Sequence, residues 1–419
     1  MTKFYKNTAA KPAPCTTSNK TALGALLFLI FLSACSTAPY TPEPMNVESL
    51  RQRAEIQIFE PLTVKAAVPG EEESASLFGV PLYANGIQPV WLEISNQGDQ
   101  NVRFALSSVD SNYFSPLEVS YKLRGGFSEA ARHSMDKRFY KSGISRFVAP
   151  GETISGFVFT HLSPGTKSFS VDLFGMTETQ DFAFFINVPG FVPDHANINF
   201  DQLYADSTVR DLSADELRDA IDGFPVNTTD EKGEAKGLPV NAIIVGDGID
   251  VLRALLRAGW YESLANSDED LDTNSSIYHL YGRQPDAIFR IQRENRIDRN
   301  EMRLWLAPIL VDGEEVWLAQ VTNFVGQRRY QDLRFSGAHL DPDVDDARSF
   351  MMQNIWYKQG MKAFAWSDSG NKVPFDKPLM DFDGSPYFTD GKRIVAWVSG
   401  TPYSVLDTIL LDWDKGRNQ

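Results

Sequence analysis

An all-β sandwich, immunoglobulin-like, followed by an α+β domain with split-βαβ order is the architecture this sequence predicts. The second domain is expected as an antiparallel sheet with helices on one face. Three observations carry the prediction. The chain has 419 residues, 42% hydrophobic and 12% aromatic, enough for two cores. Between Leu77 and Pro193, apolar residues recur with period two between turn signals. From Val240 onward, strand-like apolar runs alternate with helix-like stripes.

Taken in order, Ser36 to about Gly70 contains Pro and Thr, then charge, and ends in Glu71-Glu72-Glu73, which predicts a tether over residues 35–74. The sandwich is expected over 75–193. There Val90, Leu92 and Ile94 alternate with Trp91, Glu93 and Ser95, and Asn96-Gln97-Gly98-Asp99 reads as a turn. Val102, Phe104 and Leu106 resume the pattern. The runs Ile154 to Phe159, Phe169 to Leu173 and Phe182 to Val188 continue it, with turns at Pro150-Gly151 and Pro164-Gly165. A linker, 194–236, contains one helix: Ser213 and Glu216 form a capping box, Leu217, Ala220 and Ile221 give its buried stripe, and Gly223 stops it before Pro225.

The α+β domain, 237–412, opens with a strand from Val240 to Val245. Gly246-Asp247-Gly248 turns it into a helix with Leu252, Leu255 and Leu256 inward and Gly259 at its end. Met302 to Val311 and Glu315 to Thr322 are strands joined by Asp312-Gly313, a hairpin signal. Val344 to Gln359 is a helix with Val344, Ala347, Met351 and Ile355 on one face. Met361 to Trp366 and Arg393 to Val398 complete the strands, and 413–419 is a tail.

The formal charge is -15, which argues against nucleic acid as a partner. Residues 1–34 form a leader: Lys3, Lys6, Lys11 and Lys20, then the apolar run Ala22 to Leu32, then Ser33-Ala34. The run falls well short of the roughly 20 residues that span a bilayer. Leu32-Ser33-Ala34-Cys35 resembles the lipobox of bacterial lipoproteins. The resemblance implies cleavage before Cys35 and acylation of that cysteine, palmitate among the chains. Each buried CH₂ contributes about 0.8 kcal/mol, so two or three chains hold firmly where one does not. Ser36, where inner-membrane retention favours Asp, implies an outer-membrane, periplasmic address. Losing the four leader lysines takes the charge from -15 to -19. Cys15 leaves with the leader, so the mature body has neither a disulfide nor a reactive thiol.

Leu238-Pro-Val-Asn-Ala-Ile-Ile-Val-Gly246, Ala258-Gly-Trp260, Tyr281-Gly-Arg283, Arg303-Leu-Trp305, Val316-Trp317 and His339-Leu-Asp-Pro-Asp-Val-Asp345 resemble the LssY C-terminal domain, over about Asp211 to Asp412. In that family the domain often follows a multi-span membrane phosphatase, and its own activity is not established. No Pro-Ser-Gly-His lipid-phosphatase signature is present here. The resemblance therefore implies no phosphatase.

Five potential ligands fall within eight residues: His339, Asp341, Asp343, Asp345 and Asp346, a pattern suited to a hard divalent cation. The competing reading makes Asp343 an N-cap, with Asp345 and Asp346 complementing the helix dipole. Gly246-Asp247-Gly248 lacks the third glycine of a dinucleotide fingerprint and reads as a tight turn. Arginines 283, 290, 293, 296, 299 and 303 form the densest positive run, diluted by Asp286, Glu294, Asp298 and Glu301, and a solvated ion-pair surface is the expected outcome. Arg283 and Arg303 stand inside the family-like motifs and are the candidate anion contacts. Asp381, Asp383, Asp390 and Gly391 read as a loop. His133, His161, His195 and His279 provide no Ser-His-Asp arrangement.

No catalytic residue, metal site or cofactor is assigned. The expected function is a non-catalytic envelope module that binds a protein, glycan or lipid head group. The alternative is a metal-assisted hydrolase using the His339 cluster, with Arg283 holding an anionic substrate.

Overall fold

A computed structural model describes residues 39–163, 165–175, 178–263, 277–292, 298–325 and 339–413. Residues 1–34, Cys35, Pro164, Arg293 and Arg296 lie outside the described residues. No described helix is long and apolar enough to cross a membrane.

The N-terminal region is sheet-rich. Strands β1 (Glu55–Phe59), β2 (Leu62–Ala67), β3 (Ile87–Asn96) and β6 (Thr153–His161) form one four-stranded antiparallel sheet. Strands β5 (Phe147–Val148), β4 (Val102–Ala105), β7 (Lys167–Phe174) and β8 (Thr179–Ile186) form another. Val64, Val90, Leu92 and Val158 of the first face Phe104, Phe169, Val171 and Phe184 of the second in one core. Because the pleat alternates, Ala67, Trp91, Phe157 and Phe159 point to the opposite side. There Leu50, Phe78, Val119 and Phe139 cover them.

Those covering residues sit on helices: α1 (Glu48–Arg53), α2 (Glu71–Phe78), α3 (Pro116–Leu123) and α4 (Glu129–Ser142). The region is therefore not all-β. Ser115 caps α3 in a complete capping box with Glu118, and Ser128 caps α4. Phe78 contacts Phe139, Phe157 and Phe159 at ring-centroid distances of 5.1, 5.1 and 5.2 Å. The tether expectation also gives way. Leu62, Val64 and Ala66 bury themselves in the core between the two sheets, and Tyr40 Oη donates to Phe78 O at 2.7 Å, so the folded body begins near Tyr40. Glu71, Glu72 and Glu73 form the first turn of α2, where carboxylates complement the helix dipole.

Asp172 and Asp181 stand directly opposite each other on β7 and β8. Burial, together with the neighbouring Asp181 carboxylate, pushes the Asp172 carboxyl up to about 6. The folded state thus holds this proton more tightly than the unfolded chain. Its stabilising contribution is complete in acid and is lost as pH rises to about 6. Asp172→Asn is therefore expected to raise the unfolding midpoint at pH 7.5, by about 1 kcal/mol after allowing for solvent screening of a half-exposed pair. At pH 4 the gain should vanish. Equal midpoints at pH 7.5 would refute the shared-proton reading.

The C-terminal region is built on a ten-stranded sheet. Its path is β13 (Tyr261–Glu262), β14 (Ala287–Gln292), β15 (Arg299–Val311), β16 (Glu314–Val325), β12 (Ala242–Val245), β21 (Lys392–Val398), β18 (Met361–Asp368) and β22 (Ile409–Leu411). Strand β9 (Arg210–Leu212) pairs with β15, and β17 (His339–Leu340) with β16. Two small hairpins lie outside it: β10 (Asn227–Thr229) with β11 (Lys236–Pro239), and β19 (Leu379–Met380) with β20 (Pro386–Tyr387). The sheet is mixed rather than antiparallel: β12–β21, β18–β22 and β9–β15 run parallel. Strand β21 returns after a second helix and a hairpin, and it enters beside β12 in the same direction.

Helices α6 (Gly248–Arg257) and α7 (Val344–Tyr357) pack on one face through Val251, Ala254, Leu255, Ala347, Met351 and Ile355. The other face is covered by Leu217 of α5 (Ala214–Ala220), with Ile221, Phe224 and Trp413. The β15–β16 turn has Asp312 at φ 51° and Gly313 at φ 85°, the two left-handed residues a tight hairpin needs.

Candidate functional site

Asp341, Asp343 and Asp345 of the cluster at His339 are engaged by neighbouring amides and side chains. Asp343 Oδ1 caps α7, accepting from Asp345 N at 3.1 Å and Asp346 N at 3.3 Å. Asp341 Oδ1 accepts from Asp343 N at 3.2 Å. Asp345 turns the other way, accepting from Thr389 Oγ1 at 2.7 Å and Asp390 N at 2.6 Å, and pairs with Arg348 at 3.2 Å. Burial pushes the Asp343 carboxyl up despite its two amide donors. His339 lies in β17, paired with Val325. This is a chain of caps, and its carboxylates do not converge on one point.

Arg283 is a structural tie. Its Nε and Nη2 donate to the two Asp286 oxygens, both at 2.8 Å, while Nη1 reaches Tyr204 Oη at 2.8 Å and Nη2 also reaches Leu306 O at 2.7 Å. Burial opposes the charge, yet Asp286 and Tyr204 hold the guanidinium above its ordinary value. Asp286 Oδ2 also accepts from Leu306 N at 2.7 Å, and Trp305 Nε1 donates to Arg283 O at 3.2 Å. The Tyr281-Gly-Arg283 and Arg303-Leu-Trp305 motifs are thereby tied to each other.

Arg303 is fully buried. It pairs with Glu301, donates to Gln320 Oε1 at 2.9 Å, and lies 4.7 Å from the Tyr278 ring centroid. Arg290 Nε also donates to Glu301, at 2.8 Å, and Arg299 stands 3.7 Å from it. Tyr278 donates to Asp381 at 2.7 Å, so Asp381 is a buried acceptor instead of a solvated loop acid.

The turn at Gly246-Asp247-Gly248 is closed by the sheet: Gly248 N donates to Glu315 Oε2 at 2.7 Å, and Trp317 Nε1 donates to Gly246 O at 3.1 Å. The first amide of α6 is thus satisfied from within the protein.

Beside this turn opens a cleft of about 430 Å³ that the sequence did not disclose. Ala287, Phe289, Leu304 and Trp317 form its floor, Leu252 of α6 its wall, and Phe200 its roof. Phe200 meets the Trp317 ring edge-on at 5.6 Å. His195, Asp247 and Glu315 supply the polar groups of the lining. The floor positions are ordinary period-two sheet residues, and no local signal separates them from core.

His195 joins this cleft to the junction between the two regions. Its Nε2 lies 2.7 Å from Glu262 Oε1, and Glu262 Oε2 accepts from Thr166 N at 2.8 Å. Burial works to raise the Glu262 carboxyl, but the bonds from His195 and Thr166 hold it below the ordinary range. Asp194 adds a further tie, accepting from Ile288 N at 3.2 Å.

No curated protein matches the chain. The family model described as LssY C-terminus matches residues 274–392, the stretch that contains the Arg283–Asp286 tie, the Glu301 knot and the capped start of α7. The C-terminal region of this chain carries an LssY-like domain.

Proposed function

We propose that this chain is a lipid-anchored protein of the bacterial envelope whose body is a non-catalytic binding module. Acyl chains on Cys35 hold it at the periplasmic face of the outer membrane. The binding site is the cleft between α6 and the sheet, and the ligand is a lipid-like molecule ending in a hydroxyl or amine. One observation carries this reading. The cleft has an apolar floor, wall and roof and only a few polar groups, His195, Asp247 and Glu315. Sites of that composition bury an apolar body and orient it by a few hydrogen bonds. Two carboxylates among those groups favour a donor on the ligand over an anion. The hydrolase alternative lacks support from geometry, because the Asp341, Asp343 and Asp345 oxygens already accept amide, hydroxyl and guanidinium bonds and Arg283 is fully engaged. At fold level we read the two facing sheets as an immunoglobulin-like sandwich with a helical layer added. The C-terminal sheet, with α6 and α7 on one face, we read as a split-βαβ variant with parallel insertions.

N-phenyl-1-naphthylamine, a neutral apolar arylamine with one N–H donor, tests the cleft. The chain from residue 36 onward keeps every described residue and has no acyl groups. It is expected to bind one equivalent saturably. Leu252→Trp, which fills the cleft from a half-buried wall position, should weaken binding at least about tenfold while leaving unfolding nearly unchanged. Equal affinity in the variant, or no saturable binding, sinks the reading. Intact-mass analysis of the protein from membranes tests the anchor: an acylated Cys35 terminus supports it and an unmodified leader rejects it.

A further inference from the structure

Among the buried arginines of the C-terminal region, Arg393 alone has no carboxylate in ion-pair contact within the described residues. Arg290 and Arg303 share Glu301, and Arg348 pairs with Asp345 and Asp390. Arg393 is 1% exposed, donates from Nη2 to Pro225 O at 2.6 Å, and has an unpartnered Nε. Asp222 attracts this guanidinium only from beyond ion-pair distance, and its hydrogen bond goes to a carbonyl, an incomplete arrangement for a charge taken out of water.

Its surroundings supply donors. Ser367 is the cross-strand partner of Arg393, so both side chains share one sheet face, and Ser367 Oγ is also buried without a partner. Tyr281, 40% exposed, is held at φ 53° by the turn into Arg283, and its phenol and the Arg393 guanidinium influence each other's charge through space. Burial pushes the Tyr281 phenol up to about 12, so at neutral pH it stays protonated as a donor. Burial likewise brings the Arg393 guanidinium down to about 10, opposed by Tyr281 and Asp222, which leaves it charged under physiological conditions.

We propose that Arg393, Ser367 and Tyr281 form a site for a single oxyanion, a carboxylate or phosphate group, with Tyr281 at its solvent edge. A guanidinium with a hydroxyl opposite it on the same sheet face supplies donors of the kind such groups accept. The site lies on the sheet face opposite α6, away from the apolar cleft, and stands independently of the function proposed for that cleft.

Inorganic phosphate is the first probe, with ³¹P line broadening and thermal unfolding of the chain from residue 36 read at constant ionic strength against chloride. The wild type should broaden the phosphate signal saturably and melt a few degrees higher in phosphate. Arg393→Met should lose both responses while melting in chloride no lower than the wild type, since it removes a buried charge that has no carboxylate in ion-pair contact. Ser367→Ala should weaken phosphate binding several-fold and keeps the test open if Arg393→Met fails to fold. Phosphatidylglycerol vesicles that displace phosphate identify a lipid head group as the source, and vesicles that leave it bound identify a free anion; both uphold the site. Absence of saturable broadening, or equal broadening by Arg393→Met, overturns it and leaves Arg393 as a clamp on Pro225.

Discussion

Glu301→Ala is expected to lower the stability of the C-terminal region by about 3–5 kcal/mol, the range measured when one partner is removed from a buried ion pair. Glu301 is fully buried on β15, and its carboxylate lies against Arg290, Arg303 and Arg299. Alanine would leave those guanidiniums crowded in a site without water to screen them. The loss is therefore one of uncompensated charge more than of hydrogen bonds. Urea unfolding followed by tryptophan fluorescence at pH 7 reads it directly. A change below about 1 kcal/mol would mean that the three arginines are held without Glu301.

Glu262→Ala is expected to uncouple the two regions. The Glu262 side chain is 1% exposed, and it is the common acceptor for a strand-leading amide of the N-terminal region, Thr166 N, and for the ring of His195. Truncation strands both donors at a buried junction, a loss of about 2–4 kcal/mol. The same carboxylate carries a pH dependence. Its folded value lies below the ordinary 4.5, so its contribution is present above that pH and disappears as the solution is acidified through the folded value. Calorimetry should show one transition for the wild type at pH 7 and two for the variant. The wild type should approach the variant's behaviour in acid. A single unshifted transition in Glu262→Ala would show that the contact of α6 with β7, together with Arg253 over the Phe185 ring at 5.5 Å, suffices to couple the regions.

What was legible in the sequence was local. Period-two alternation placed β3, β6, β7 and β8, and Asp312-Gly313 placed the β15–β16 hairpin, because those signals act between residues that are neighbours in the chain. Ser213 and Glu216 announced α5 by their capping box. The same signal stands at Ser115 and Glu118 and marks α3, in a stretch where no helix was expected. Leu62, Val64 and Ala66 alternate over too short a run to distinguish a strand from a tether. The parallel entry of β21 beside β12 depends on which strand lies free in space, which no local pattern encodes.

The candidate residues fared according to the reach of their partners. The Asp343 cap involves residues two and three along and was foreseeable. Arg283 and Asp286 are likewise three apart, yet the acid was read as a surface diluent, because burial of the pair depends on Tyr204 and Leu306 from distant segments. The cleft is the least legible feature. Phe289, Leu304 and Trp317 are themselves members of the core on the α6 face, 1–4% exposed, so no pattern in the sequence marks them as a cleft floor.

Photolabelling tests the central claim most directly. An alkyl alcohol bearing a diazirine, incubated with the chain from residue 36 and irradiated, should place its adducts on Phe200, Leu252 and Phe289, saturably and in competition with N-phenyl-1-naphthylamine. The protein also exposes apolar side chains elsewhere, at Ile56, Ile58 and Phe59 and at Leu406, Ile409 and Leu410. Adducts concentrated on those patches, or scattered without saturation, would contradict the assignment of the cleft as the binding site.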